Sequence, residues 1–396
     1  MAHVGRDHFR IAPAWLAIIA LAGSLALTPL PSTASAAPPA AALRPAAASL
    51  TPGTWGWQNP IPSGDLLLSI SCPITTVCYT AGNAGLVLTT LDAGAHWTVL
   101  NAGETNNIEG ISCANAVTCV AVDDLGYSFT TVNAGVDWTR VSVNSGKPLY
   151  GVSCAEGKTV CFATGPGGKV YGTVDVGTTW SPQPSVVTAA LFAISCANRL
   201  VCTAVGAGGA METTVDGGAT WLLDDSKVTA NLFAAYCPPV QVPFGYVCFA
   251  AGDGGVVDGT NDMGATWVPS TVGSGPNPLT LTGIVCNGSC MVTATDGFIY
   301  EQPTSDWTAI ATSATAWNVA GTGANGSLWS IACPSLTAQN TSIANTTCLA
   351  VGDFGTVLIT TNHGSGWSTA RRDLMEATPT LPARARRSAW RSAPPA

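Results

Sequence analysis

Three sets of residues in this 396-residue chain have the types and spacing to do chemistry. The first is the 14 cysteines, which fall into seven close pairs: Cys72/Cys78, Cys113/Cys119, Cys154/Cys161, Cys196/Cys202, Cys237/Cys248, Cys286/Cys290 and Cys333/Cys348. Two thiols per stretch of chain suit a local disulfide, whereas a structural zinc site gathers four ligands. Beyond residue 36 the only histidines are His96 and His363, so seven disulfides, no metal and no other cofactor are expected. The second set is Asp123, Asp124, Asp253, Asp296 and Asp353, each in a short polar or glycine-containing stretch between apolar runs. Two carboxylates facing each other across a glycosidic bond make a hydrolase, and clustered carboxylates hold Ca²⁺. Aspartate also stabilises turns through its own side chain. The third set stands four residues before each leading cysteine: Leu68, Glu109, Tyr150, Phe192, Phe233, Thr282 and Trp329. Aromatic rings there suit stacking on sugars or gripping a peptide. The alternative is packing in a core layer with Ile70, Ile111, Val152, Ile194, Ile284 and Ile331.

The spacing of these residues points to the elements that position them. The leading cysteines are 41, 41, 42, 41, 49 and 47 residues apart. A tryptophan recurs at 97, 138, 180, 221, 267, 307 and 367, and Trp55 is in the same phase. One unit shows the plan: apolar runs at 66–71, 78–81, 86–90 and 97–100, with glycine-bearing turns at 82–85 and 92–94. Four short strands in about 42 residues match one blade of a propeller. The chain is therefore expected to be all-β, with a seven-bladed β-propeller of four-stranded antiparallel blades over 54–370. One intrablade disulfide would close the first hairpin of each blade. The turns between second and third strands, with the connections between blades, would form one mouth, where the second and third sets meet. Connections at 268–283 and 308–327 would wall it, with Trp317 exposed on them, and either Trp55–Asn59 or the segment from Trp367 would complete the last blade.

The phrase Thr90-x-Asp92-x-Gly94-x-x-Trp97 resembles the Asp-box, or BNR repeat, of sialidase-like propellers. Further copies carry Asn133, Asp175, Asp216, Asp262 and Asn362 at the acidic position. The wider phrase, as in Ala204-Val205-Gly206-Ala207-Gly208-Gly209 followed by Thr213-Thr214-Val215-Asp216-Gly217-Gly218, is similar to the propellers of the photosystem II assembly and stability factor family. The resemblance implies a propeller, box residues with a structural role on the underside, and a generic binding role. A sialidase needs three arginines to clamp the sialate carboxylate. The repeat region offers Arg140 and Arg199, with Arg371 at its edge, so that activity is not expected.

Charge and the N-terminus narrow the function further. Residues 37–370 hold seven Lys+Arg against 20 Asp+Glu, and an acidic body repels nucleic acid. Arg6 and Arg10 precede an apolar run at 11–30, and Ala34-Ser35-Ala36 follows, the pattern of a Sec signal peptide over 1–36. No second apolar run follows, so no transmembrane segment is expected in the mature chain. An Ala/Pro-rich linker at 37–53 and a disordered Arg/Pro/Ala-rich tail at 371–396 flank the propeller. The expectation is a secreted or cell-envelope, monomeric, non-enzymatic propeller that binds or scaffolds a protein or glycan. The alternative is a two-carboxylate glycoside hydrolase using the aspartates named above.

Overall fold

In each repeat the second run is apolar at nearly every position and the fourth mixes apolar with polar residues. This is the pattern of strands covered on both faces and on one, respectively. The computed structural model describes residues 65–369, apart from Glu156, Lys158, Val240, Phe244, 274–278, 287–288, 303–316, 321–323, Asn325, 335–346 and His363. Second strands such as Val77–Gly82 and Cys202–Gly206 are buried throughout, while outer strands such as Thr98–Asn101 are largely exposed.

The strands form seven four-stranded antiparallel sheets, each built from its own stretch of chain. Their innermost strands are Leu67–Ile74, Ile108–Cys113, Gly151–Cys154, Leu191–Cys196, Leu232–Tyr236, Leu281–Cys286 and Leu328–Ala332. These pack side by side in a ring, the first against the seventh, which makes a closed seven-bladed propeller. The outer edge of blade 7 is taken by Ser368–Thr369, paired with Ile359 and Leu358. The Trp55–Asn59 strand expected there lies outside the described residues, as do the proposed leader, linker and tail.

The core lies between blades. Leu67, Ile70 and Leu88 of blade 1 pack on Leu349, Val351 and Val357 of blade 7, with Trp97 over them. Trp221 of blade 4 meets Phe162 of blade 3 edge to face, with ring centroids 5.8 Å apart. The tryptophan before each outer strand therefore covers the seam to the preceding blade. Trp317 takes that place in blade 6, directly before Asn318–Val319, and packs on the cluster between blades 5 and 6. The tryptophan period puts Trp307 at this position and Trp317 on an exposed connection. Trp307 lies outside the described residues, and Trp317 is half-buried. The two connections are also shorter than expected, because Val268–Thr271 and Asn318–Val319 are outer strands.

All seven expected cysteine pairs are disulfides joining the first two strands of their blade: Cys72–Cys78, Cys113–Cys119, Cys154–Cys161, Cys196–Cys202, Cys237–Cys248, Cys286–Cys290 and Cys333–Cys348. Partners such as Cys113 and Cys119 stand directly opposite in register, with Cα atoms 3.9 Å apart. The two members of a bridge differ in surroundings. Most leading cysteines border the central axis. The second members, Cys78, Cys119, Cys161, Cys202, Cys248, Cys290 and Cys348, are all 0% exposed. They stand at or next to the start of second strands, whose two faces are covered by neighbouring blades. These seven residues therefore belong to the core and take no part in a ligand-facing surface. The loops that the bridges close are short, so each adds about 2–3 kcal/mol.

The serine before the cysteine joins neighbouring blades. Ser71 Oγ accepts from the Cys113 N–H at 3.1 Å, Ser112 from Cys154 at 2.9 Å, Ser153 from Cys196 at 3.0 Å and Ser195 from Cys237 at 2.9 Å.

The turns at Asp92, Asn133, Asp175, Asp216, Asp262 and Asn362 have local explanations. In the first, Thr90 Oγ1 donates to Asp92 Oδ1 at 2.9 Å, and Asp92 Oδ1 accepts from the His96 N–H at 2.8 Å. The Gly94 N–H donates to Thr90 Oγ1 at 2.9 Å. The same threonine-to-side-chain bond recurs in the other five. Gly94 has φ +93°, and a Cβ there would lie 2.8 Å from Leu349 Cδ2 of blade 7. These turns thus key each blade onto its predecessor.

Candidate functional site

The inner strands share a defect at their entrance. Pairing with the second strand skips one residue between Leu67 and Ser69, Ile108 and Gly110, Leu191 and Ala193, Leu232 and Ala234, Leu281 and Gly283, and Leu328 and Ser330. A bulge of this kind re-aims the extra side chain. The skipped residues are Leu68, Glu109, Phe192, Phe233, Thr282 and Trp329. Tyr150 takes the equivalent place just before its strand, its N–H donating to Thr164 O at 2.9 Å. All seven are half-buried and line an axial cavity of about 310 Å³. Ile70, Ile111, Ile194, Ile284 and Ile331, two residues further on, are buried.

The ring is uneven in chemistry. Tyr150, Phe192 and Phe233 form an arc, with centroids 5.7 Å apart edge to face and then 5.3 Å apart stacked. Thr282 turns inward to the protein, donating to Leu328 O at 2.5 Å. Trp329 is held by its indole N–H, which donates to Asp353 Oδ1 at 2.7 Å. Glu109 is the only charged residue among the described lining residues. Burial holds its carboxyl above the usual range, and the charges of Asp124 and Asp123 add to the effect.

The turns between second and third strands lie at this same end, where Asn83, Asp253 and Asp353 N–H groups bond to the chain entering the inner strand. They carry the five candidate aspartates, and four of these serve their own surroundings. Asp123 accepts from the N–H groups of Leu125 at 3.1 Å and Tyr127 at 2.6 Å. Asp253 accepts from Asn231 Nδ2 at 2.9 Å and Thr280 Oγ1 at 2.8 Å. Asp296 accepts from the Phe298 N–H at 3.0 Å and Tyr300 OH at 2.6 Å. Asp353 accepts from the Ser327 N–H at 2.9 Å as well as from Trp329. Asp124 differs: its Oδ1 is buried without a hydrogen-bond partner. Asp123 and Asp124 share one turn, and Asp253, Asp296 and Asp353 stand in turns of three other blades. Among the described residues no group of three or more metal-ligating side chains could hold a metal ion.

Period alone located the ring positions. It did not reveal the bulges, the Asp353–Trp329 bond or the inward turn of Thr282, because each depends on an adjacent strand or turn. Trp317, offered as a binding residue, lies away from the cavity lining.

No protein-family model matches the chain, and no curated protein matches it. Solved structures do. One described as YCF48 bound to D1 peptide aligns with TM-score 0.57 at 13% identity, covering 77% of this chain and 96% of that one. YCF48 from Cyanidioschyzon merolae aligns with TM-score 0.56 at 16% identity, covering 76% and 97%. At these identities the likeness is one of fold: the chain has the propeller architecture of the YCF48 structures.

Proposed function

We propose that the protein is an exported, non-enzymatic propeller that binds an extended segment of a partner protein at the mouth ring. The observation that carries this reading is the set of bulges in six blades, which, with Tyr150 at the equivalent place in the third blade, turn one side chain per blade into a common cavity, among them Glu109, Phe192, Phe233 and Trp329. A rigid scaffold with variable residues at one end is how propellers present a binding surface. A propeller of like fold is described as bound to a peptide, which favours a peptide over a glycan. Four of the five aspartates at the mouth are engaged by donors of the protein itself, which counts against a two-carboxylate hydrolase.

The seven disulfides are consistent with an oxidising compartment. Among the described residues no helix is long and apolar enough to cross a membrane. Secretion or residence in the cell envelope, through the leader at 1–36, and the membership of the box turns in the BNR class are parts of the same proposal. The test is a binding screen of the secreted, oxidised chain against peptide and polysaccharide arrays, with product analysis of every hit. Peptide capture abolished by Phe192→Ala and Phe233→Ala supports the reading. A cleaved polysaccharide rejects it in favour of the hydrolase.

A further inference from the structure

Glu109 is an anomaly at the mouth. It is a half-buried carboxylate in a ring otherwise made of apolar, aromatic and hydroxyl side chains. Among the described residues it has no hydrogen-bond or ion-pair partner. The nearest charges are of its own sign, Asp124 and Asp123. No lysine or arginine lines the cavity. Two cations elsewhere are already engaged: Arg140 pairs with Glu104 at 3.4 Å and lies over the Tyr127 ring, and Lys227 pairs with Asp225. A half-buried carboxylate beside charges of its own sign is partly desolvated, and a cation arriving there offsets both effects.

The next blade supplies the second half of the site. Tyr150 is the ring residue of the blade after that of Glu109, and it begins the continuous arc through Phe192 to Phe233. Aromatic faces carry negative potential and attract cations, most strongly where water is excluded. A carboxylate beside an aromatic arc, in a cavity of about 310 Å³, fits one long cationic side chain.

We infer that the mouth recognises a lysine or arginine side chain of the partner segment, with its charge on Glu109 and its stem against Tyr150, Phe192 and Phe233. This rests on the peptide-binding reading above and adds the chemistry of the bound residue.

The test uses the full oxidised chain and a random dodecapeptide phage library, followed by calorimetry with the selected peptides as synthetic amides. Selected peptides are expected to carry a lysine or arginine. Replacing it by norleucine or citrulline should weaken binding about tenfold. Glu109→Gln should weaken the cationic peptide about tenfold and leave the neutral analogue unchanged, so that the two changes together cost no more than either alone. Phe192→Leu should weaken both peptides. The peptide-side change leaves the protein untouched, so a folding defect cannot imitate the result. Peptides selected without a cation, or indifferent to Glu109→Gln yet lost with Phe192→Leu, would overturn the inference and leave the mouth reading standing. Peptides indifferent to both variants, or no selected peptide at all, would overturn both.

Discussion

Blades 1–4 and blades 5–7 solve the same packing problem differently. In the first group the leading cysteines recur every 41 or 42 residues, and each inner strand is bonded through a serine to the cysteine N–H of the next blade, reaching as far as Cys237. In the second group the residues before the leading cysteines are Tyr236, Val285 and Ala332, none of which is a serine. The first two strands of blade 5 are separated by an extra hairpin, Gln241–Val242 with Gly245–Tyr246. The partners Cys237–Cys248, Cys286–Cys290 and Cys333–Cys348 are 11, 4 and 15 residues apart, against 6 or 7 in the regular group. Both groups nevertheless keep four strands, a bridge and a ring residue per blade. The serine bond is therefore a refinement rather than a condition of the fold, and the buried seams carry most of the stability. The aromatic arc runs along inner strands that the serines tie together, so the most nearly continuous aromatic surface rests largely on the most regular part of the molecule.

The largest effect should come from breaking the regular half at a close approach. Gly206 precedes the turn of blade 4, and a Cβ there would lie 1.9 Å from the main-chain oxygen of Ala190. Gly206→Ala should cost about 3 kcal/mol or more, seen as a large fall in the urea midpoint. A midpoint within error of wild type would show that the chain entering blade 4 yields freely.

The next effect lies in the irregular half. Asp258 of blade 5 is wholly buried where blade 1 has Leu88, and neither carboxylate oxygen has a partner in normal geometry. Burial, aided by the charge of Asp225, pushes its carboxyl from 3.8 up to about 7. Asp224 is also raised to about 7, chiefly by burial. The folded state therefore keeps protons that the unfolded chain has lost between about pH 4 and 7, so stability falls as pH rises through that window. The lowered carboxyls of Asp92, Asp175, Asp216 and Asp262 act in the opposite sense, but only below their unfolded value of 3.8. Thermal unfolding should thus occur at higher temperature at pH 5 than at pH 8. Asp258→Leu should stabilise by about 2 kcal/mol at pH 8 and by much less at pH 5. Equal gains at both pH values would refute the assignment.

Smaller effects concern the serines. Ser153→Ala removes the acceptor for the Cys196 N–H and should cost about 1 kcal/mol, with faster amide exchange at Cys196 as the local readout. Unchanged exchange would mean that water replaces the hydroxyl. The converse change, Ala332→Ser, places a serine before the last leading cysteine and should add at most about 1 kcal/mol, measured by calorimetry. Destabilisation would show that the seam between blades 7 and 1 has a different spacing.

Much of this architecture was legible because its cause repeats. Ser-Cys, the glycine turn and the Thr-x-Asp-x-Gly phrase each bond within one unit or to an adjacent unit, so a period near 41 residues exposes them in the sequence. Where the period slips, spacing along the chain no longer marks the seam. In blade 6 the tryptophan of the seam is Trp317, because the residue just before the outer strand is what reaches the preceding blade, whatever its distance along the chain. The candidate aspartates could be placed in turns from their glycine-rich and polar neighbours. Their engagement by Asn231, Thr280, Ser327 or Trp329 came from other stretches of chain that no local pattern announces.

The sequence by itself determined the blade count, the strand order, the pairing of all 14 cysteines and the seven positions that form the ring, since these follow from local alternation, turn chemistry and period. The tertiary structure alone decided which ring side chains are engaged by the protein itself. Thr282 is tied inward, Trp329 is pinned by Asp353, and Glu109 stands without a partner beside an aromatic arc. Those distinctions arise only when seven inner strands converge on one axis, where each side chain's environment is supplied by neighbouring blades and turns rather than by its own strand.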